Sequence, residues 1–141
     1  MEMKIKHLEM IESVIQRQAD NGFKIKAFGA GLVSILAAIG DKKGNIALLL
    51  FAILFLLMLW FLDAFYLQTE RKYVALYKHV LSINSDKIDF SMDANKIVQQ
   101  DEDFKRLKYF SCMRAKPELL FYITLLSAVI LYTCNTLFGW L

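Results

Sequence analysis

The segment Ile46–Leu62, with the sequence IALLLFAILFLLMLWFL, decides the fold class of this 141-residue chain. It carries no charge, and Asp63 follows it directly. A helix needs about 20 mostly apolar residues to cross a bilayer, because its backbone polar groups must be satisfied within the segment. A buried helix of a soluble protein would be interrupted by polar residues. We therefore predict a transmembrane helix over residues 46–67.

Two further segments are predicted to cross the membrane. The uncharged run LLFYITLLSAVILYTCNTLFGWL at 119–141 is long enough to span with some tilt. The run AFGAGLVSILAAIG at 27–40 is short, but the lysine stems of 23–26 can snorkel and extend it, which gives a span over 23–40. A signal peptide is the alternative for this run, although the four acidic residues that precede it do not suit one.

The distribution of Lys and Arg predicts the orientation of the chain. Residues 1–26 carry five of these side chains, the turn 41–45 carries two, and residues 68–118 carry ten. We therefore place the N-terminus and residues 68–118 in the bacterial cytoplasm. The turn and the C-terminus then lie outside the inner membrane, where Trp140 suits an interfacial anchor.

Residues 1–22 have the periodicity of an amphipathic helix. Its apolar face contains Ile5, Leu8, Ile11 and Ile15. This helix either lies on the inner membrane surface or packs its apolar face against partner helices. The mixed charges of its polar face favour packing, because surface-seeking helices are dominated by Lys and Arg. Asn21-Gly22 is typical of a helix stop, so we expect the helix to end there.

Residues 68–118 are predicted to form a small folded layer. The helical pattern of the second span continues to about Ile83, and Asn84-Ser85-Asp86 is typical of a turn. We expect a short helix over 93–100, and Pro117 suits the first turn of the third span. The apolar residues of this segment are too many for a disordered region. The expected fold is therefore all-α, with three transmembrane helices, an N-terminal amphipathic helix and a helical cytoplasmic layer.

Asp63 is the side chain of greatest functional interest, because a charge within a membrane helix is costly. It lies near the cytoplasmic end of its span, close to where Lys24 and Lys26 enter the membrane on the neighbouring span. An ion pair that pins the two spans together is one interpretation. A role of Asp63 in gating or permeation is the other.

Two faces are candidate seams of a homo-oligomer. The first has small side chains every four residues, a spacing that lets two membrane helices approach closely. It contains Ala30, Ser34 and Ala38. The second is a polar stripe on the second span and its extension, with an arginine that could pair across subunits. It contains Asp63, Glu70, Arg71 and Tyr77.

Patterns typical of enzymes and of metal or nucleic-acid sites are lacking. His7 and His79 are isolated in sequence, and no Gly-rich phosphate loop occurs. The acidic run at 101–103 lacks the alternating ligands of a calcium loop. The formal net charge of +3 is too small to indicate nucleic-acid binding. We therefore expect no catalytic residues, no cofactor, no metal ion and no nucleic-acid partner.

Most of the chain carries a resemblance to known bacterial proteins. The resemblance rests on KHLEMIESVIQRQADNGFKIKAF at 6–28, WFLDAFYLQTERKYVALY at 60–77, DFSMD at 89–93 and SCMRAKPELLFY at 111–122. These segments resemble a family of small three-helix membrane proteins with a Leu-Asp-aromatic-Tyr-Leu, Glu-Arg and Leu-Tyr pattern. The architecture is also similar to the two-helix SLATT membrane effectors of nucleotide-signalling antiphage defence. The resemblance implies that the characteristic positions are Asp63, Tyr66, Glu70, Arg71 and Tyr77.

These observations lead to two main hypotheses. The first is a homo-oligomer in the inner membrane that forms or gates a pore, as an antiphage effector triggered by a cytoplasmic sensor protein or signalling ligand. The second is a non-enzymatic membrane-anchored module that recruits a cytoplasmic partner or ligand to residues 68–118. A transporter subunit is less suited, because three spans with one ionisable group offer little material for an alternating-access site.

Overall fold

The structure, a computed structural model, describes residues 2–39, 46–84, 87–98 and 107–138. Over these residues the prediction of an all-α fold is confirmed. The helices are α1 (Glu2–Ile39), α2 (Ile46–Ser82), α3 (Asn95–Val98), α4 (Tyr109–Met113) and α5 (Lys116–Phe138). The predictions for the turn 41–45, the acidic run 101–103 and Trp140 lie outside the described residues.

Helix α1 runs without a break from Glu2 to Ile39, so the predicted helix stop at Asn21-Gly22 is wrong. Gly22 is buried, and a Cβ atom built on it would lie 3.0 Å from Oδ1 of Asp63 on α2. Glycine disfavours a helix interior by about 1 kcal/mol relative to alanine. Here it permits the close approach of two helices instead of ending one.

Helix α2 extends well beyond its apolar half, as the sequence predicts, and ends at Ser82. The Lys4 ammonium donates hydrogen bonds to the carbonyl groups of Leu81 (3.2 Å) and Ile83 (2.7 Å). Carbonyl groups at a helix end have no partner within the helix, so this lysine satisfies the end of α2. The N-terminal half of α1 therefore lies beside the C-terminal half of α2, and the two helices are antiparallel.

In the described parts of the segment between α2 and α5, there are two short helices. The Lys87 amide donates to the Asn84 carbonyl (3.0 Å) after α2. Helix α3 falls within the predicted helix at 93–100, of which residues 99–100 lie outside the described part. The Asn95 amide donates to Asp93 Oδ1 (3.1 Å) at its start. Helix α4, the second short helix, packs against the middle of α2.

Helix α5 begins at Lys116 with Pro117 in its first turn, as predicted. The Leu119 amide donates to the Ala115 carbonyl at 2.8 Å, which starts the hydrogen-bond ladder of the helix. α5 then packs along the apolar half of α2 and runs antiparallel to it. Its first turn thereby lies at the level where α2 changes from apolar to polar.

The described residues form two main apolar clusters along this bundle. The bundle core, between the apolar half of α2 and α5, consists of Ala52, Leu56, Leu59, Tyr122 and Val129. The polar-end cluster, where α1 meets the extension of α2, consists of Ile11, Leu76, Val80 and Ala94, with Leu8, Ile15, Tyr73, Tyr77, Ile88 and Met92 packed against it. The apolar face of residues 1–22 thus packs largely on other elements of the chain, although Ile5 is exposed.

Helices α2 and α5 are each long and apolar enough to cross a membrane. The most apolar window of α2 is only 28% buried within the chain, and that of α5 only 17%. A core helix of a soluble protein is mostly buried, whereas these two helices present most of their apolar surface outward. α1 does not meet the same test of length and composition.

Candidate functional site

The three long helices meet at a cluster of three ionisable side chains, which we call the charge triad: Lys26 of α1, Asp63 of α2 and Glu118 of α5. The Lys26 Nζ atom lies 2.7 Å from Asp63 Oδ2 and 2.9 Å from Glu118 Oε2. One ammonium group therefore bridges two carboxylates on different helices. The triad lies at the boundary between the apolar and the polar halves of α2.

Burial makes these contacts energetically important. The side chains of Asp63 and Glu118 are only 2% and 8% exposed, whereas that of Lys26 is 25% exposed. Surface ion pairs contribute little to stability, but breaking a buried pair leaves an uncompensated charge. Apart from the Lys26 ammonium, no hydrogen-bond donor of the described residues reaches Asp63 Oδ2 or Glu118 Oε2. Among the described residues, the ammonium is thus the cation that compensates both carboxylates.

Gly22 shapes the triad from the side of α1. It precedes Lys26 by four residues, so the two lie on the same face of the helix. A Cβ atom at this position would approach Asp63 Oδ1 to 3.0 Å, so any side chain there would press on the carboxylate. Gly22 therefore provides the space that Asp63 occupies, while Lys26 provides the charge.

Aromatic residues cover the triad on the side of α5. Tyr122 is fully buried four residues after Glu118, and its hydroxyl group donates to the Leu59 carbonyl at 3.4 Å. The Trp60 ring stacks on the Tyr122 ring, with centroids 5.8 Å apart and planes at 14°. The Trp60 indole N–H also donates to the Met113 carbonyl at 3.2 Å. The Trp60 hydrogen bond thereby links α4 to α2.

Helix α4 covers the polar half of α2 beside the triad. The Tyr109 hydroxyl donates to the Phe61 carbonyl (2.6 Å), and the Gln68 amide donates to the Leu107 carbonyl (2.9 Å). Cys112 is fully buried, with the Arg71 guanidinium 3.6 Å from its Sγ atom. Burial raises the pKa of the Cys112 thiol, and the charge of Arg71 offsets this only in part. The thiol therefore stays protonated at neutral pH and reacts slowly with alkylating agents.

The structure brings some of the predicted site residues together and separates others. Lys26 lies against Asp63, in the arrangement of a helix-pinning ion pair, whereas Lys24 is exposed. On the polar stripe, Asp63 is buried, and Arg71 is directed at Cys112 within the chain. Tyr77 packs against the polar-end cluster, and Glu70 is half-buried. The stripe therefore lies mainly inside the folded chain.

The small-residue face of α1 has a different environment. Ser34 and Ala38 are exposed and Ala30 is half-buried. The Ser34 hydroxyl group donates to the Ala30 carbonyl at 2.9 Å, within the helix. A Cβ atom added to the neighbouring Gly31 would meet no atom within 4 Å. The other described helices therefore leave this face of α1 largely uncovered.

Glu118 is the member of the triad that the sequence analysis missed. It precedes the uncharged run directly, so it falls with the charged flank of the third span. Two features point to it: an acidic residue in the first turn of an apolar helix, and a tyrosine four residues later on the same face. Neither feature indicates that this face turns toward Lys26, since that depends on how α5 is rotated against α1 and α2.

The described residues also show the surroundings of His7 and whether any side chains could hold a metal ion. His7 is buried with the edge of its ring against Phe90, at a centroid distance of 5.5 Å, which is a packing contact. No group of three or more His, Cys, Asp or Glu side chains among the described residues is placed to hold a metal ion.

Comparison with models of protein families, with curated proteins and with solved structures finds no match to this chain. The resemblance to small three-helix membrane proteins and to SLATT effectors thus stays a prediction that rests on the segments quoted above.

Proposed function

We propose that the chain is a three-span protein of the bacterial inner membrane that forms homo-oligomers and acts as a membrane-perturbing or pore-forming effector of antiphage defence. In this proposal the charge triad holds each protomer together, and the small-residue face of α1 joins the protomers. The cytoplasmic half of the bundle receives the trigger, which is a sensor protein or a signalling ligand.

The outward apolar surface of α2 and α5 supports insertion into a bilayer. Each helix presents a face of large exposed side chains: Leu48, Leu50, Phe51, Leu54, Met58 and Phe61 on α2, and Leu120, Ile123, Ile130, Leu131 and Leu137 on α5. Monomeric soluble proteins rarely expose a continuous apolar surface of this kind. Lipid is the covering that fits these outward apolar faces.

The inward direction of Lys26 supports α1 as the third span. From Ala27 to Ile39 the helix carries no charge, and Lys26 places its ammonium between two carboxylates instead of in lipid. Phe23, Phe28 and Ile35 are exposed along this part. Residues 23–39 measure about 26 Å at the rise of an α-helix, close to the thickness of the hydrocarbon layer.

The orientation follows from the basic flanks. The polar halves of α1 and α2 lie together with α4, and this end of the bundle carries most of the Lys and Arg residues. The positive-inside rule then gives a cytoplasmic N-terminus and an external C-terminus.

The uncovered small-residue face carries the proposal of a homo-oligomer. Ser34 and Ala38 are exposed in a single chain, and small side chains in this spacing allow close helix contact in a membrane. Asp63 is buried within the protomer, so it does not line a seam in this state. A pore would then be bordered by α1 helices of adjacent subunits.

The test is the mass of the intact assembly, extracted in a mild detergent and measured by native mass spectrometry, together with the membrane potential of expressing cells. We expect a closed ring of four or more subunits, and depolarisation when the system is triggered. A monomer or dimer, or an unchanged membrane potential in the triggered state, would contradict the effector proposal.

A second candidate is a membrane-anchored module that binds a cytoplasmic partner or ligand. A cavity of about 120 Å³ at the end of α2 favours it. Its polar lining contains His79, Lys87, Asp89, Ser91, Asp93 and Lys96. The change Lys96→Gln together with Asp89→Asn should abolish binding of the partner or ligand, and with it function, without changing the assembly mass. Full function of that variant would contradict this candidate.

A further inference from the structure

The charge triad has more acidic groups than basic groups, and its ion pairs do not remove this difference in charge. Two carboxylates, those of Asp63 and Glu118, contact a single ammonium group, that of Lys26. With both acids ionised, the cluster would carry one net negative charge. Both carboxylates are more than nine-tenths buried, and an uncompensated charge in such a place is very unfavourable.

Neighbouring elements supply no second cation among the described residues. From α4, the Cys112 thiol faces Glu118, and the Arg71 guanidinium of α2 is directed at that thiol. From α5, the Tyr122 phenol lies near both acids and within hydrogen-bonding reach of Asp63. From α2, Glu70 lies near Lys26, but the nearby Arg71 guanidinium acts on it more strongly, so its charge is balanced outside the triad.

The two carboxylates are close enough to share a proton. Asp63 Oδ2 and Glu118 Oε2 contact the Lys26 Nζ atom at 2.7 Å and 2.9 Å, and the two carboxyl groups also lie within hydrogen-bonding reach of each other. Neither oxygen receives a hydrogen bond from another donor of the described residues. Two carboxylates this close in a site of low dielectric do not both stay ionised, as in dyads that share one proton.

We propose that the Lys26–Asp63–Glu118 cluster is a proton-binding site that holds one proton between the two carboxylates at neutral pH. The proton makes the cluster neutral and gives the two carboxyl groups a hydrogen bond to each other in addition to their contacts with the Lys26 ammonium. The site joins α1, α2 and α5, so release of the proton would drive the acidic side chains apart and loosen the contact of α5 with the other two helices. This inference concerns one folded chain and holds whether or not the chain forms a pore.

Infrared spectroscopy of the full chain in lipid nanodiscs at neutral pH tests the proposal. A protonated carboxyl group has a C=O stretching band well separated from the bands of ionised carboxylates. We expect such a band in the wild-type protein. Labelling of aspartate or of glutamate side chains with ¹³C then shows which acid carries the proton, and it needs no variant.

Single substitutions test the charge count. In Glu118→Gln or Asp63→Asn, one carboxylate remains for one ammonium, so the band should disappear from each variant. In Lys26→Met, two carboxylates remain without a cation, so the band should grow about twofold. Glu70→Gln is the matched control, because Glu70 is the other carboxylate near Lys26, and its band should equal that of the wild type.

The outcomes are distinct. A band that is lost in both isosteric variants and kept in Glu70→Gln supports the shared proton. A wild-type spectrum without the band would overturn the proposal, as would a band that persists in both variants. The result does not depend on assembly or conductance, so a failed effector proposal would leave it unaffected.

Discussion

Gly22 and Asp63 fit together because the glycine has no side chain: a Cβ atom on Gly22 would lie 3.0 Å from Asp63 Oδ1. This contact explains why a residue that disfavours helices lies in the middle of the 38-residue helix α1. Close approach here lets Lys26, one turn later, reach both Asp63 and Glu118. The packing of the helices and the pairing of their charges therefore depend on each other.

Gly22→Ala should destabilise the protein by about 1 kcal/mol, although alanine is the better helix former. The added methyl group must displace a carboxylate that is held by an ion pair. Gly29→Ala is the matched control, because its methyl group would meet only leucine side chains, at 3.4 Å or more. Unfolding in lipid–detergent mixtures measures both variants.

A double-mutant cycle makes the cause of this effect testable. In an Asp63→Ala background the carboxylate is absent, so Gly22→Ala should no longer destabilise the protein. An equal loss of stability in both backgrounds would show that the methyl group clashes with something other than Asp63.

Lys26→Met should destabilise the chain by about 3 kcal/mol, because it leaves two buried carboxylates without their cation. Lys24→Met is the control, since Lys24 is exposed and should lose almost nothing. Replacement of the whole triad, Lys26→Met with Asp63→Val and Glu118→Met, should restore most of the stability, because it removes all buried charge. A triple variant as unstable as Lys26→Met would contradict this explanation.

Trp60→Phe should expose Cys112 to alkylation. The test uses a Cys134→Ser background, which removes the other cysteine of the chain, because that one is exposed. The ring stacking on Tyr122 is kept in this variant, but the hydrogen bond to the Met113 carbonyl is lost. Loss of a hydrogen bond worth about 1 kcal/mol makes local opening of α4 about fivefold more frequent. Cys112 should therefore react with a maleimide about fivefold faster. Phe61→Leu, a change of an exposed neighbouring side chain, should leave the rate unchanged. Equal rates for all three proteins would contradict the role of Trp60 in holding α4.

Ser34→Leu should reduce the assembly to smaller species if the exposed small-residue face of α1 is the seam. A bulky side chain there keeps two helices apart, whereas Ile35→Leu on an adjacent exposed position leaves the small face intact. Native mass spectrometry compares the subunit number of both variants with that of the wild type. An unchanged subunit number in Ser34→Leu would place the seam elsewhere.

The sequence predicts the helical elements better than it predicts their mutual contacts. Apolar runs and the continued helical pattern suffice to place α2 and its extension, because the length and periodicity of a helix are local properties. The break expected at Gly22 is wrong for a physical reason. The low helix propensity of glycine is a weak local preference, and tertiary packing against Asp63 outweighs it.

The charge triad shows the same limit. The sequence predicts that Asp63 and Lys26 lie near each other, because both occur near the same end of neighbouring predicted spans. It does not assign Glu118 to them, because the rotation and depth of α5 are determined by side-chain packing, including the stacking of Tyr122 on Trp60. Such packing joins residues far apart in the chain and leaves no periodic pattern in the sequence.

The number of membrane crossings tests the account most directly, because it decides whether α1 is a span. Reporter domains that are active only in the cytoplasm or only outside the inner membrane should be fused to each end of the chain in turn. Three spans predict opposite sides, with the N-terminus in the cytoplasm and the C-terminus outside. Both ends on the same side would mean that only α2 and α5 cross the membrane, and the proposed assembly through α1 within the bilayer would be wrong.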